Sequence, residues 1–314
     1  RYAIPGFDYS AAGDDSLSEG SSSGRGQLSL YLTVVAVYLF WGGNFVFSKI
    51  ALKEMPGSLV AGMRTVIAAA LLMAVYKGRN KDGRPPLRRD EYPRLCLIGV
   101  CGIAVNQICF LIGLSLTSAS HAALVIGLTP FMVLALAWFR GHEAFTLNRA
   151  MGLAVAVGGM MLLQKPSASG QTASLAGDLL ILGAGLSFAV YTVFGKELAA
   201  EHGGMAVIAV SYAAGSLFLL PMTLFFASRF DFSQVSAAAW WAFAYMTIVS
   251  SVLCYIGWAY ALKRLSASRL SAFSYLQPLV ATLLALPMLG EPITATLVGG
   301  GSLIMAGVFL SERA

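Results

Sequence analysis

The feature that most constrains this chain is a series of apolar runs, each about 20 residues long, that recurs from Leu28 almost to the C-terminus. A run of that length, wound as a helix, crosses the roughly 30 Å of hydrocarbon in a bilayer. Only 11% of the 314 residues are charged and 57% are hydrophobic, which leaves too little polar surface to cover a soluble core. Because lipid cannot satisfy unpaired backbone groups, the sequence predicts an all-α membrane protein.

Ten transmembrane helices are predicted from the apolar runs and from the Pro and Gly residues between them. The first 27 residues are rich in Gly, Ser and Asp and are expected to form a disordered tail. The loops are short, so no soluble catalytic domain is expected and the chain is not predicted to be an enzyme. The predicted helices are Leu28–Ser48, Ser58–Tyr76, Leu95–Leu114, His121–Phe139, Asn148–Gln164, Leu175–Gly195, Met205–Ala227, Ala238–Leu262, Leu270–Leu289 and Ile293–Leu310.

The Lys and Arg residues predict the orientation of these helices. Leaving aside Arg1 in the tail and Arg64 inside a helix, fifteen of the other nineteen lie on the side that holds the N-terminus. The positive-inside rule therefore places both termini in the cytoplasm. The formal charge of +6 belongs to this loop pattern, so no nucleic-acid partner is expected.

No metal site and no cofactor are predicted. The four cysteines lie inside apolar segments and lack metal-ligand spacing, so they are interpreted as small packing residues. They are Cys96, Cys101, Cys109 and Cys254.

The sequence repeats itself at a shift of 147 or 148 positions. One period contains five predicted helices, an odd number, so the second copy must cross the bilayer in the opposite sense. The predicted organisation is a tail (1–27), a first five-helix repeat (28–164), a linker (165–174), a second five-helix repeat (175–310) and a short C-terminal tail (311–314). Inverted repeats are the architecture of many secondary transporters, with the substrate site where the halves meet.

The residues that recur in both copies are interpreted as structural. The glycines, two helical turns apart, are expected to let helices pack closely, and the prolines to kink their helices. The glutamates precede helices on opposite sides of the membrane, which fits a structural role better than a single coupling site. The pairs are Pro130 and Pro278, Glu143 and Glu291, Gly152 and Gly300, and Gly159 and Gly307.

These motifs resemble the EamA-type members of the drug/metabolite transporter superfamily. The resemblance covers Leu28 to Leu310. It is carried by Leu114 to Ser120 with Pro130, Glu143, Gly152 and Gly159, by their second copy from Leu262 to Gly307, by Phe40 to Phe45, and by Arg64. It implies two inverted five-helix bundles and export of small metabolites, such as amino acids, across a bacterial inner membrane. The sequence departs from the commoner pattern at Phe188, which occupies the repeat position of Trp41.

Polar and aromatic side chains inside the predicted helices are the candidates for the substrate pathway. For Arg64 two interpretations stay open. It attracts a substrate carboxylate, or it has a structural role in which it bonds to backbone carbonyls or extends to the outer membrane surface. For His121 the alternatives are proton handling and packing. Of Asn106 and Gln107, adjacent on one helix, at most one is expected to face inward. The full set is Trp41, Asn44, Arg64, Asn106, Gln107, His121, Tyr191, Ser211, Tyr212, Tyr255, Trp258, Tyr275 and Gln277.

The predicted function is export of amino acids or similar zwitterionic or apolar solutes by alternating access. No Asp or Glu is expected deep inside a helix, so facilitated transport or exchange is favoured over carboxylate-based proton coupling. The alternatives are a lipid or lysolipid flippase on the same scaffold and a non-transporting membrane partner subunit. The expected partners are the small-molecule substrate and membrane lipids; monomer and homodimer both stay open.

Overall fold

The fold is described from a computed structural model, which describes residues 22–79, 91–141, 146–163, 174–265, 270 and 273–312. Throughout these residues the regular secondary structure is helical. The described part is rich in long apolar helices, as expected of a multi-pass membrane protein. Helix α1 begins at Ser22, inside the segment predicted to be a disordered tail.

The first part of the chain folds into seven helices and one π-helical segment. The π segment, named π1, interrupts the third apolar run. The elements are α1 (Ser22–Leu52), α2 (Gly57–Arg79), α3 (Tyr92–Gly99), π1 (Val100–Val105), α4 (Asn106–Ser115), α5 (Ala119–Ile126), α6 (Thr129–Phe139) and α7 (Leu147–Leu163).

The second part follows the same order from Leu175 to Leu262, including a second π segment, π2, and its last described helices lie between Leu276 and Glu312. Two short 3-10 turns, Phe232–Gln234 and Phe273–Tyr275, lie between the helices. The other elements are α8 (Leu175–His202), α9 (Gly204–Ala227), α10 (Ala237–Ala244), π2 (Tyr245–Leu253), α11 (Cys254–Leu262), α12 (Leu276–Leu289) and α13 (Ala295–Glu312).

Among the described residues, seven helical segments are long and apolar enough to cross a membrane. Shorter apolar helices cover Leu276–Leu289 and Ala295–Gly307. The prediction of an all-helical membrane protein is confirmed, and the count of ten transmembrane helices stays a prediction.

Neither repeated proline kinks the interior of a helix. Pro130 lies in the first turn of α6, after a break at Gly127 and Leu128 that separates α5 from α6. Pro278 likewise lies in the first turn of α12. A proline is tolerated there because the first N–H groups of a helix have no internal partner. The expected bend within a continuous helix is not what the structure has. The apolar run breaks instead just before each proline.

The repeated glycines bring α7 and α13 into backbone contact. A Cβ atom added to Gly159 would lie 2.6 Å from the carbonyl oxygen of Gly300 and 2.8 Å from the amide nitrogen of Ile304. Gly307 makes the reciprocal approach to the backbone of Gly152 and Ala156. Such exchanged contacts between repeat positions are what a twofold relation between the two copies produces.

Glu291 closes the N-terminus of α5. Its Oε1 accepts a hydrogen bond from the amide of Ala119 at 2.7 Å, and its Oε2 accepts from the amide and hydroxyl of Ser120 at 3.0 and 2.8 Å. A carboxylate is well placed there because the first amides of a helix are unpaired and carry partial positive charge. The repeat-related Glu143 lies outside the described residues.

Candidate functional site

A cavity lies where α1, α2 and α4 meet α8, α11 and the start of α12. It encloses about 690 Å³ of empty space, including its open mouth. Helices from both copies of the repeat therefore contribute to one wall. The described lining residues are Tyr38, Trp41, Asn44, Phe45, Arg64, Asn106, Gln107, Phe110, Ile126, Thr129, Phe188, Tyr255, Ser274 and Gln277.

Arg64 is the one charged side chain in that described lining. It is only 3% exposed, and its Nε donates a hydrogen bond to Ser251 Oγ at 2.6 Å. Its Nη1 is buried and has no hydrogen-bond partner among the described residues. A guanidinium buried without a counter-charge is costly, so the cavity holds an unsatisfied donor and positive charge.

Two side-chain carbonyls in the same lining lack a described partner. They are Asn44 Oδ1 on α1 and Gln107 Oε1 on α4, and both residues are buried. Gln107 is oriented through its Nε2, which donates to Asn106 Oδ1 at 3.4 Å. Asn106 is held in turn by its Nδ2, which donates to the carbonyl of Ala184 at 2.8 Å. These buried acceptors are available to a donor on a bound molecule.

The expectation that only one of Asn106 and Gln107 would face inward was wrong, because both line the cavity. The two side chains are about 100° apart on α4 and still reach the same cavity. Asn106 bonds the carbonyl of Ala184 on α8, and Gln107 bonds the side chain of Asn106.

Aromatic rings form the rest of the wall around Trp41. Its ring meets Tyr38, Phe188 and Tyr255 edge to face, with centroids 5.4, 5.6 and 5.5 Å away. Its Nε1 donates to the carbonyl of Ser250 at 2.9 Å, inside π2, where the wider turn leaves carbonyls outside the ordinary α ladder. Trp41 and Phe188 occupy equivalent repeat positions and touch each other, as residues beside a pseudo-twofold axis would.

Four predicted pathway residues lie outside the described lining of this cavity, in the packing behind Tyr255 and Phe188. Tyr191 stacks on Trp258 with centroids 5.8 Å apart, and Tyr212 meets Tyr255 edge to face at 5.0 Å. Ser211, the repeat equivalent of Arg64, is fully buried. The side chain of Tyr275 lies outside the described residues.

His121 also lies away from this cavity and pairs with Asp178. Its Nε2 lies 2.9 Å from Asp178 Oδ1 and 3.0 Å from Oδ2. Asp178 is in the first turn of α8 and has no exposed surface. The expectation that no Asp or Glu lies deep inside a helix is not contradicted by a residue in the first turn. The burial of Asp178 was not foreseen, because a carboxylate one turn from a helix start is typical of an interfacial residue.

Several lining residues were missed by sequence reasoning. Thr129 and Gln277 share one repeat position, immediately before the two prolines, and both line the cavity. That shared position was a signal for Thr129. The others, Tyr38, Phe45, Phe110, Ile126 and Ser274, are ordinary in a membrane helix and carry no comparable signal.

Known proteins resemble this chain over most of its length. The EamA-like transporter family matches residues 28–164 and 175–313. A probable terminal-alkyne amino-acid exporter of Streptantibioticus cattleyicolor is 31% identical over 91% of this chain and 92% of its own length. A probable amino-acid metabolite efflux pump of Salmonella typhimurium is 28% identical over 90% of this chain and 93% of its own.

More distant comparisons cover a similar share of the chain. An uncharacterized transporter of Archaeoglobus fulgidus is 27% identical over 90% of this chain and 96% of its own length. One crystal structure superposes with a TM-score of 0.65 at 19% identity, covering 91% of this chain and 97% of that one, which shows a shared fold. With a family match over both halves and a relative above 30% identity, this chain belongs to the EamA-like transporter family.

Proposed function

We propose that this chain exports amino acids or closely similar zwitterionic metabolites across a bacterial inner membrane, with both termini in the cytoplasm. The observation that carries the proposal is Arg64 Nη1, buried and without a described partner in a cavity whose described lining holds no carboxylate. The charge that balances Arg64 would come from the bound solute. Intramembrane ionisable groups of this kind commonly mark a substrate pathway.

A solute carboxylate is the group that fits Arg64 best. The guanidinium presents donors in a planar fork that a carboxylate can accept at two points. Because Nε is already held by Ser251, the fork is oriented by the protein and the Nη1 edge remains for the solute. The hydrogen bond to Ser251 would thus reduce the side-chain entropy lost when the solute binds.

The opposite end of a zwitterion would meet acceptors and aromatic faces. Asn44 Oδ1 and Gln107 Oε1 can accept from an ammonium group, and Trp41 or Tyr255 can attract it through a ring face. The apolar side chain of the solute would then pack on Phe45 and Phe110, which meet edge to face at 5.2 Å. A cavity of this mixed kind suits an apolar or aromatic amino acid.

The mechanism we propose is alternating access between two inverted five-helix halves. The reciprocal approach of Gly159 and Gly307 and the contact of Trp41 with Phe188 support a pseudo-twofold relation between them. Facilitated transport or exchange remains our proposal, because the buried carboxylate of Asp178 is paired with His121 outside the described cavity lining. The printed names of two relatives, an exporter and an efflux pump for amino-acid compounds, support the solute class and the direction.

Counterflow into proteoliposomes tests the solute class directly. The panel is phenylalanine, phenylalaninamide without the carboxylate, N-acetylphenylalanine without the ammonium, and a lysophospholipid. We expect phenylalanine to exchange at least tenfold faster than either derivative, since each derivative leaves one end of the cavity unsatisfied. Equal rates for phenylalanine and its amide would contradict the role of Arg64. Translocation of the lysophospholipid alone would favour a flippase.

A further inference from the structure

Three ligand-type side chains meet at the end of the helical core where α3 begins and α8 ends. Glu91 immediately precedes α3, and Glu201 and His202 are the last two residues of α8. Their ligand atoms all lie within 4.8 Å of one another. No metal site is predicted from the sequence, since Glu91 lies far along the chain from Glu201 and His202 and the three form no ligand-spacing motif. We propose that these three residues bind a divalent first-row transition-metal ion, with Zn²⁺ the best fit.

The backbone holds the three groups in fixed positions. Gly203 has φ +85°, a conformation that favours glycine, and it lets the chain pass from α8 to α9 within one residue. Glu201 and His202 therefore lie at a sharp corner and not on a long loop. Glu91 occupies the N-cap of α3, and its side chain makes no capping bond to that helix.

The distances match the edges of a zinc coordination tetrahedron. His202 Nε2 lies 3.3 Å from Glu91 Oε1 and 3.4 Å from Glu201 Oε2. Nitrogen and oxygen ligands bind Zn²⁺ at about 2.0–2.1 Å, and a tetrahedron of that radius has edges of about 3.3–3.4 Å. An ion thus fits the two edges that meet at His202, and the two glutamates, whose ligand atoms lie within 4.8 Å of each other, supply the third edge.

Burial of the histidine supports a ligand between the groups. His202 Nε2 is buried and makes no hydrogen bond of acceptable geometry with any described residue, although both carboxylates lie at ion-pair distance. The side chain of His202 is 11% exposed and that of Glu201 is 63% exposed. The site is therefore closed on the histidine side and open on the other, which leaves a fourth position for water.

The donor set selects the class of ion. One imidazole with two carboxylates suits Zn²⁺ and its first-row neighbours, whereas Ca²⁺ and Mg²⁺ prefer oxygen ligands and more of them. A bound ion would tie the start of α3, in the first repeat, to the corner between α8 and α9, in the second. The alternative arrangement is a protonated His202 between two carboxylates, with no metal affinity. This inference does not depend on the proposed solute.

Titration of the full-length protein with metal separates these two arrangements. Tag-free protein in detergent, stripped with a chelator, is titrated with ZnCl₂ by calorimetry and with CoCl₂ by visible absorption. We expect one ion per chain, and Co²⁺ bands of the intensity typical of tetrahedral coordination. Thermal unfolding should move to higher temperature with Zn²⁺, because a ligand bound only by the native state stabilises it.

Variants locate the bound ion. His202→Ala and the near-isosteric Glu91→Gln should each weaken Zn²⁺ binding at least tenfold and abolish the thermal shift. Glu197→Gln is the matched control, because Glu197 lies on the same helix and its carboxylate is occupied by Arg140 at 3.1 Å. The inference is overturned if wild-type protein binds no Zn²⁺, or if Glu91→Gln binds it as tightly as Glu197→Gln does. Monodisperse elution of each variant shows that it has folded.

Discussion

The contact between α7 and α13 and the wall of the cavity are built on opposite principles. At the helix contact both repeat copies carry the same residue, and Gly159 approaches Gly300 as Gly307 approaches Gly152. At the cavity the copies differ: Arg64 corresponds to Ser211, and Trp41 corresponds to Phe188. The same close helix contact occurs twice, so both copies need an equally small residue there. A solute with two different ends requires a pocket that is not symmetric.

This comparison divides the polar residues into those that support the fold and those available to a solute. Glu291 belongs to the first kind, since its two oxygens satisfy the first amides of α5. The proposed function assigns Arg64 to the second, since one of its nitrogens has no described partner. Changes at the first kind should lower stability, and changes at the second should lower transport while the fold survives.

Breaking the His121–Asp178 pair should give the largest effect on stability. The equivalent positions in the other repeat copy hold Arg269 and Tyr31, which are a different pair of residue types. Asp178→Ala leaves His121 facing an empty, buried position, and breaking a buried pair costs about 3–5 kcal/mol. Asp178→Asn is the matched control, because an amide can still bond the imidazole, and it should lose much less. Chemical unfolding in detergent measures both; equal losses for Ala and Asn would show that the charge does not matter.

Gly159→Ala tests the symmetric contact. The added methyl would meet the backbone of Gly300 and Ile304, which cannot rotate away as a side chain can, so we expect a loss of about 1–3 kcal/mol. Gly158→Ala is the control on the adjacent residue, where an added Cβ has nothing within 4 Å. The difference in unfolding midpoint between the two variants measures the contact. Identical midpoints would mean that α7 and α13 do not pack closely.

How far the sequence predicts this molecule depends on the kind of feature. The apolar runs and the repeated glycines predict the helices and the α7–α13 contact, because close packing restricts residue size at fixed spacing. Asn106 and Gln107 show the limit for the site. Both line the cavity because Asn106 bonds the carbonyl of Ala184 on α8 and Gln107 bonds Asn106, and the contact with α8 has no sequence pattern.

Long-range pairing is the other part that the sequence could not supply. Asp178 and His121 lie on different helices, and no spacing rule joins them. Glu91 and His202 meet only because α3 starts where α8 ends. Arg64 was identifiable in the sequence as an intramembrane charge, whereas its partner Ser251 was not, since serines are common in such helices.

Arg64→Gln tests the asymmetric wall. We expect phenylalanine counterflow to fall about ten- to one-hundredfold. Hydrogen bonds to a charged group contribute about 1.5–3 kcal/mol, and about 1.4 kcal/mol corresponds to a tenfold change. Thermal stability should stay the same or rise, because an incompletely paired buried charge is removed. Ser211→Ala, at the equivalent repeat position, is the control and should transport within twofold of wild type. If the Arg64→Gln variant transported normally, Arg64 would have a structural role. The cavity would then lack the asymmetric, solute-binding residue that distinguishes it from the α7–α13 contact.

The smallest expected effect lies at the surface, outside both regions, where Glu54 binds the start of α10. Its Oε2 accepts from the amide of Ser236 at 2.6 Å and its Oε1 accepts from the hydroxyl at 2.7 Å. These hydrogen bonds, the one from the amide first, lower the pKa of Glu54 below its usual value. A lowered carboxyl pKa stabilises the fold fully above the ordinary pKa, near 4.3, and this is lost as pH falls through the lowered value.

Glu54→Gln should therefore unfold at a slightly lower temperature than wild type at pH 7. The difference should close as the pH falls through the lowered pKa of Glu54, because a protonated glutamate resembles glutamine. Ser236→Ala removes the hydroxyl partner, so the effect of Glu54→Gln should shrink in that background. Melting curves of the four proteins at pH 7 and in acid measure both. If the difference persisted unchanged in acid, the charge of Glu54 would make no contribution to the capping of α10. If the two substitutions were fully additive, Glu54 and Ser236 would act independently.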